Sequence, residues 1–202
     1  MRIGIFGGSF NPVHEGHIRL AKEALSELNL DKVYFVLSHQ NPLKKKETLL
    51  PEALRIKLLK SALRNHPDFS ISLCEVQRKG PSFTVDTLKF FKKKFGSDTV
   101  LYFLCGADIL NDLERWRSVD EIFKLCRFVV MTRPGYKLKQ TKRPILHLPF
   151  EALDISSSGV RDKLKRRQDI EKLVPQGTYT LLKRQFSKTK GGSTFNRIRK
   201  SI

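Results

Sequence analysis

Two spacings of apolar residues alternate along the chain. Short runs rich in β-branched and aromatic side chains read as strands: RIGIFG (2–7), KVYFVLS (32–38), FSISLCEVQ (69–77), TVLYFLCG (99–106), RFVVMTR (127–133) and RPILHLPF (143–150). Between them apolar residues return every three or four positions, as Ile18, Ala21, Leu25 and Leu28 do after His14. The same spacing predicts helices over 49–65, where Pro51 suits a first turn, over 82–95 and over 119–126. Residues 156–186 read as one or two short helices separated by Pro175 and Gly177. Strand and helix taking turns predicts right-handed crossovers. The expected fold is therefore α/β, a doubly wound parallel sheet covered on both faces, with short C-terminal helices. No internal repeat is visible, so one domain is expected over 1–186. The Lys, Ser, Thr and Gly composition of 187–202 predicts a flexible basic tail.

Composition narrows the class. The chain has 202 residues, 40% of them hydrophobic, which is enough for a real core. No apolar run approaches the roughly 18–20 residues of a membrane span, and MRIGIFGG lacks the build of a signal peptide, so a cytoplasmic protein is expected. Cys74, Cys105 and Cys126 are scattered and lack metal-binding spacing, which predicts reduced, buried thiols. The net charge of +19 attracts polyanions. Residues 183–202 hold seven Lys/Arg and no acid, yet without them the excess is still +12. Non-specific polyanion binding by the tail is expected. A dedicated nucleic-acid binder is disfavoured, because the aromatics lie in apolar runs and are not interleaved with Lys and Arg.

Candidate chemistry starts in GIFGGSFNPVHEGH (4–17). In an open parallel sheet, ligands bind beyond the carboxyl ends of the strands. Gly7 and Gly8 let backbone amides approach a ligand there, Ser9 adds a hydroxyl, and the following helix offers the positive end of its dipole. His14 and His17 stand three residues apart in its first turn, around Gly16. An anion site, a capped helix with surface histidines, and a partial metal site lacking a third ligand all fit these residues. A second stretch, ISSSGVRDKL (155–164), begins a helix with Ser156, Ser157 or Ser158 as N-cap and Arg161 one turn in. Alone it reads better as a capped helix with a solvated arginine. No Ser/His/Asp triad or motif of paired carboxylates is present.

GGSFNPVHEGH strongly resembles the signature of the HxGH nucleotidyltransferases, and most closely that of the nicotinate/nicotinamide mononucleotide adenylyltransferase family. ISSSGVRDKL resembles the second phosphate-binding element of that family, and GPSFTVDTL (80–88) and LCGADILNDLERW (104–116) resemble stretches of its pyridine-nucleotide branch. The resemblance covers residue 1 to about 185 and implies a Rossmann-like fold. It implies ATP contacts from Gly7, Gly8, Ser9, Phe10, His14, His17, Gly106, Asp108, Ser157, Ser158 and Arg161. It implies substrate contacts from Lys44, Ser82, Thr84, Trp116 and Arg133, with Asp86 orienting its loop. His14, His17, Lys44 and Arg161 would be catalytic. Trp116 also fits a core anchor, and Lys44 a solvated basic loop. Arg55 belongs to the same basic pattern as Lys44. Asn11 stands where relatives often carry Asp, and either side chain can hold the turn. Arg117 stands where several relatives carry Tyr, which alters the nicotinate pocket.

The implied reaction transfers AMP from ATP to nicotinate mononucleotide, giving deamido-NAD and pyrophosphate. Mg²⁺ would arrive on the ATP phosphates, with no metal site of the protein's own. The alternative is the same reaction with nicotinamide mononucleotide. Pantetheine-phosphate and glycerol-phosphate nucleotidyltransferases share the two phosphate motifs but lack GPSFTVDTL.

Overall fold

The computed structural model describes residues 1–40, 42, 49–132 and 141–187. Six strands, β1 (Arg2–Gly8), β2 (Lys32–Leu37), β3 (Phe69–Ser72), β4 (Val100–Gly106), β5 (Arg127–Thr132) and β6 (Ile145–Pro149), form one sheet in the order β3-β2-β1-β4-β5-β6. Every neighbouring pair is parallel. The helices are α1 (Glu15–Glu27), α2 (Glu52–Leu63), α3 (Cys74–Arg78), α4 (Thr84–Phe95), α5 (Val119–Leu125), α6 (Ser157–Lys165) and α7 (Gln176–Ser187). This is the expected Rossmann-like α/β fold. No helix among the described residues is long and apolar enough to cross a membrane.

The chain forms two compact units. Of the described residues, the first takes 1–8, 20–40, 42, 68–132 and 141–152, and the second 9–19, 49–67 and 153–187. The first holds the sheet. Val85, Leu88 and Phe91 of α4 and Ile122 of α5 pack with Ile3, Ile5, Leu101, Phe103, Phe128 and Val130 in one buried cluster. Alternate strand residues supply that face, as the two-residue period of a strand requires. Cys74, Cys105 and Cys126 belong to the same cluster and are free thiols. Burial pushes the Cys126 thiol up to about 12. Gly4 marks a close approach: a Cβ there would lie 2.9 Å from Leu30 Cδ1 and 3.1 Å from Leu104 Cδ1.

The strand expected over 69–77 is shorter. β3 ends at Ser72, and Cys74–Arg78 turns into α3. Cys74 and Glu75 are adjacent and both buried, which a strand with one covered face does not allow. The last strand starts at Ile145 and not at Arg143. Pro144 just before it has no N–H to give a ladder.

In the second unit α2 and α7 pack together. Thr178 Oγ1 donates to the Leu58 carbonyl at 3.3 Å, and a Cβ on Gly177 would overlap Ser61 Oγ and lie 2.9 Å from the Ser61 carbonyl oxygen. Gly177→Ala is therefore expected to destabilise the protein by about 1–3 kcal/mol, read as a lower urea midpoint at unchanged slope. Ser61→Ala added to it should restore part of the loss.

Candidate functional site

The loop leaving β1 is held by side chains of α2 and α6. Arg55 Nη1 donates to the Ser9 carbonyl (2.9 Å), Arg161 Nη1 to the Asn11 carbonyl (2.8 Å) and Ser157 Oγ to the Pro12 carbonyl (2.9 Å). Asn11 Oδ1 accepts from the Leu50 N–H at 2.8 Å, so Asn11 holds the turn as its residue type suggested. Arg55 is 2% exposed and also donates through Nε to the Leu50 carbonyl (3.3 Å). Its guanidinium works on the loop backbone, a use the basic pattern in the sequence did not indicate. Phe10 adopts φ 41°, the left-handed region that bulky residues avoid, and is buried. Its ring meets His17 edge-on at 5.2 Å. The Phe10 side chain thus orients His17.

His14 and His17 pack ring against ring, with centroids 3.6 Å apart. The His14 backbone N–H donates to His17 Nδ1 at 3.2 Å. A backbone amide only donates, so Nδ1 is the acceptor and the proton of the neutral His17 ring sits on Nε2. His14 Nδ1 is buried and has no hydrogen-bond partner among the described residues. A Cβ on Gly16 would lie 3.1 Å from that atom, so the glycine between the histidines makes room for the His14 ring. At α6, Ser156 is the N-cap and accepts from the Gly159 N–H at 3.1 Å, while Ser158 Oγ lies 3.1 Å from Ser156 Oγ. The second unit thus brings together Asn11, His14, His17, Ser157 and Arg161, residues up to 150 positions apart.

Burial lowers His14 to about 4 and holds His17 well below 6.5, with His14 adding repulsion. Both rings are neutral at pH 7. The unfolded chain takes up these protons near 6.5, so between 6.5 and 4 it binds more protons than the fold does. Stability therefore falls as pH drops through that window, by up to about 3 kcal/mol for His14, whose folded value is about 4. Urea midpoints measured from pH 7 to pH 4 should fall, and should fall less in His14→Gln.

The first unit carries the other candidates. β1 runs to β2 and β3 on one side, and β4 runs to β5 and β6 on the other, so the strand order reverses between β1 and β4. Gly7 and Gly8 end β1, and Gly106 ends β4. Asp108 is exposed in the 3-10 turn Ala107–Asn111 that follows β4. A Cβ on Gly106 would lie 2.9 Å from Asp108 Oδ1, so this glycine leaves space for the carboxylate. Trp116 is half-buried, with its ring 5.7 Å from Phe103 and 6.1 Å from Phe128 at steep angles. It packs against the core, as its anchor reading expected. Arg117 lies 4.8 Å over the Phe83 ring and 3.8 Å from Asp86 Oδ2. Lys44 and Arg133 lie outside the described residues.

Ser82 has a supporting role that its motif did not indicate. Its hydroxyl accepts from the N–H groups of His39 (3.0 Å) and Gln40 (3.3 Å). Its own N–H donates to the Gln40 carbonyl at 2.8 Å. Beneath it lies Glu75, buried, whose Oε1 accepts from Thr87 Oγ1 at 2.6 Å and whose carboxylate also draws on the Ser82 hydroxyl. Burial raises the Glu75 pKa, and both hydroxyls oppose that rise. Sequence reasoning missed Glu75; its one signal is an acid standing beside Cys74 in an apolar stretch. Thr84, which opens α4, follows directly on this network. Glu75→Ala strands two hydroxyls and is expected to cost about 1–3 kcal/mol. Urea unfolding measures this cost.

Among the described residues no group of three or more His, Cys, Asp or Glu is placed to hold a metal.

Comparison with known proteins follows the same lines. Residues 5–163 match the family model described as cytidylyltransferase-like. The chain is 41% identical over 184 residues to a Clostridium novyi protein named "Probable nicotinate-nucleotide adenylyltransferase", covering 86% of this chain and 92% of that one. It is 34% identical over 174 residues to the nicotinate-nucleotide adenylyltransferase of Bacillus subtilis, covering 86% and 91%. Among solved structures, the Plasmodium falciparum nicotinic acid mononucleotide adenylyltransferase complexed with NaAD superposes with a TM-score of 0.71 at 21% identity, over 91% of this chain and 95% of that one. This last likeness concerns the fold.

Proposed function

The chain belongs to the cytidylyltransferase-like family, among the nicotinate-nucleotide adenylyltransferases, and we propose from this that it joins ATP and nicotinate mononucleotide into deamido-NAD with release of pyrophosphate. The observation that carries the reading is the second unit, where both histidines of HEGH and Arg161 of the second motif are tied to one loop.

A 5′-phosphate oxygen of the mononucleotide attacks the α-phosphorus of ATP, and the bond from that phosphorus to the bridging β-oxygen breaks. The nucleophile is already an anion, so no strong base is required. The residues have to bring two anions together and balance the charge that spreads over the phosphoryl oxygens. Neutral His17 donates through Nε2 without first losing a proton, and His14 stands against it. Arg161 adds a fixed cation whose fork matches phosphate oxygens. Ser157, Ser158 and the amides at the start of α6 suit the outer phosphates, and Gly7, Gly8 and Ser9 let backbone donors approach. Asp108 is fitted to accept from sugar hydroxyls, and Thr84 and Trp116 to hold the pyridine ring. Lys44 and Arg133 keep the roles their motifs suggest. Mg²⁺ would arrive as counter-ion of the nucleotide phosphates. The reading is of a cytoplasmic enzyme.

The test is pyrophosphate release from ATP and Mg²⁺ with nicotinate mononucleotide, nicotinamide mononucleotide or 4′-phosphopantetheine as acceptor. Turnover highest with nicotinate mononucleotide is the expected result. Equal or better turnover with either other acceptor overturns the substrate, and turnover with none overturns the reaction.

A further inference from the structure

Charge is divided unequally between the two units. Among the described residues the second unit carries 13 Lys/Arg against six Asp/Glu, and the first carries 15 against 13. The excess has a defined place. Lys57, Lys60 and Arg64 recur at i, i+3 and i+7 on and just beyond α2, all exposed. Lys183 and Arg184 are exposed on α7, which packs on α2 through Thr178 and Gly177. No described carboxylate lies within ion-pair distance of any of the five. The sequence then continues past Ser187 with five more Lys/Arg and no acid. None of these five side chains belongs to the phosphate-handling residues described above, so the proposed reaction leaves this surface unexplained.

We propose that the outward faces of α2 and α7 form a docking surface for the phosphate backbone of a nucleic-acid duplex. A set of exposed cations with no carboxylate partner among the described residues suits a regular polyanion, because each contact releases condensed counter-ions. Two other polyanions, an acidic lipid surface and a single strand, find fewer partners among the described side chains. The exposed large hydrophobic residues among those described are Met1, Phe90 and Leu146, all in the first unit. Among the described residues, the second unit therefore shows no exposed large apolar side chain to enter a lipid surface. Nor is an exposed aromatic platform for stacking single-stranded bases present among its described residues, where Tyr179 is half-buried and already carries Lys183 Nζ 5.3 Å from its ring centroid. Contacts of this sort position a duplex without reading its sequence.

The test uses the full chain, a fluorescent 30-base-pair DNA duplex and a salt series starting near 50 mM, where phosphate contacts are strong. Two five-fold variants remove equal charge: Lys57, Lys60, Arg64, Lys183 and Arg184 to Gln in one, and the exposed Lys22, Arg78, Lys93, Lys94 and Lys124 of the first unit to Gln in the other. The expected result is that the wild type binds with a steep salt dependence. The first variant should lose more than tenfold in affinity, with the log–log slope flattened by about 0.9 for each phosphate contact removed. The second should bind within a factor of about three of the wild type, and both should keep adenylyl-transfer activity. Equal losses in the two variants would show net charge without a surface and overturn the proposal. So would no binding by the wild type, tighter binding to single-stranded DNA of the same length, or tighter binding to phosphatidylserine vesicles.

Discussion

His17→Ala is expected to lower kcat for adenylyl transfer by about 10²–10³-fold, the usual loss when one well-placed donor to a developing oxyanion is removed. The ring is held from three sides: the His14 amide fixes its tautomer at 3.2 Å, the Phe10 edge stands at 5.2 Å and the His14 ring at 3.6 Å. Removing the ring also leaves the His14 N–H without this acceptor, so a stability loss of about 1–3 kcal/mol, read as a lower urea midpoint, should accompany the fall in kcat. His17→Gln retains a donor at the end of a longer, unanchored chain and should recover only part of the rate. A His17→Ala enzyme with near-normal kcat would remove the imidazole pair from the chemistry.

Arg161→Met is expected to damage rate and stability together. The guanidinium is buried and spends Nη1 on the Asn11 carbonyl at 2.8 Å, so its removal leaves that carbonyl without its donor, at a cost of about 1–3 kcal/mol. It also takes away the cation proposed to meet phosphate, so kcat should fall a further 10²-fold or more. Arg161→Lys separates the two effects. A lysine keeps the charge but cannot span the carbonyl and a phosphate with one planar fork, so rate should recover more than stability. Kinetics and urea unfolding of both variants decide this. Equal recovery of the two quantities in Arg161→Lys would mean that the arginine serves the loop alone.

Much of the scaffold could be read from periodicity. Ile3 and Ile5, Leu101 and Phe103, and Phe128 and Val130 fall on one sheet face because strands alternate, and they meet α4 residues spaced for a helix. Local spacing failed at 69–77, where Glu75 turns inward to meet Thr87, a partner 12 residues ahead. The site divided in the same way. GG, HEGH and SSSGVR announced themselves, because glycines, imidazoles and a capped helix start each carry a local chemical meaning. What those residues do for one another did not. Arg161 reaches Asn11 across 150 positions, Ser82 reaches His39 across 43, and Arg55 reaches Ser9 across 46. No window of sequence contains both ends of these bonds. The side-chain use of Ser82 and Phe10 is the clearest consequence: each lies in a motif read for ligand contact, and each side chain is engaged with its own framework.

The measurement that bears most directly on the proposed phosphate site is ¹⁵N NMR of the histidine rings at pH 7, repeated with a non-hydrolysable ATP analogue. An uncharged His17 with Nδ1 unprotonated and the proton on Nε2 is expected, with the Nε2–H resonance moving when the analogue binds. A cationic ring at pH 7, a proton on Nδ1, or resonances that ignore the analogue would contradict a neutral imidazole pair built to donate to phosphate.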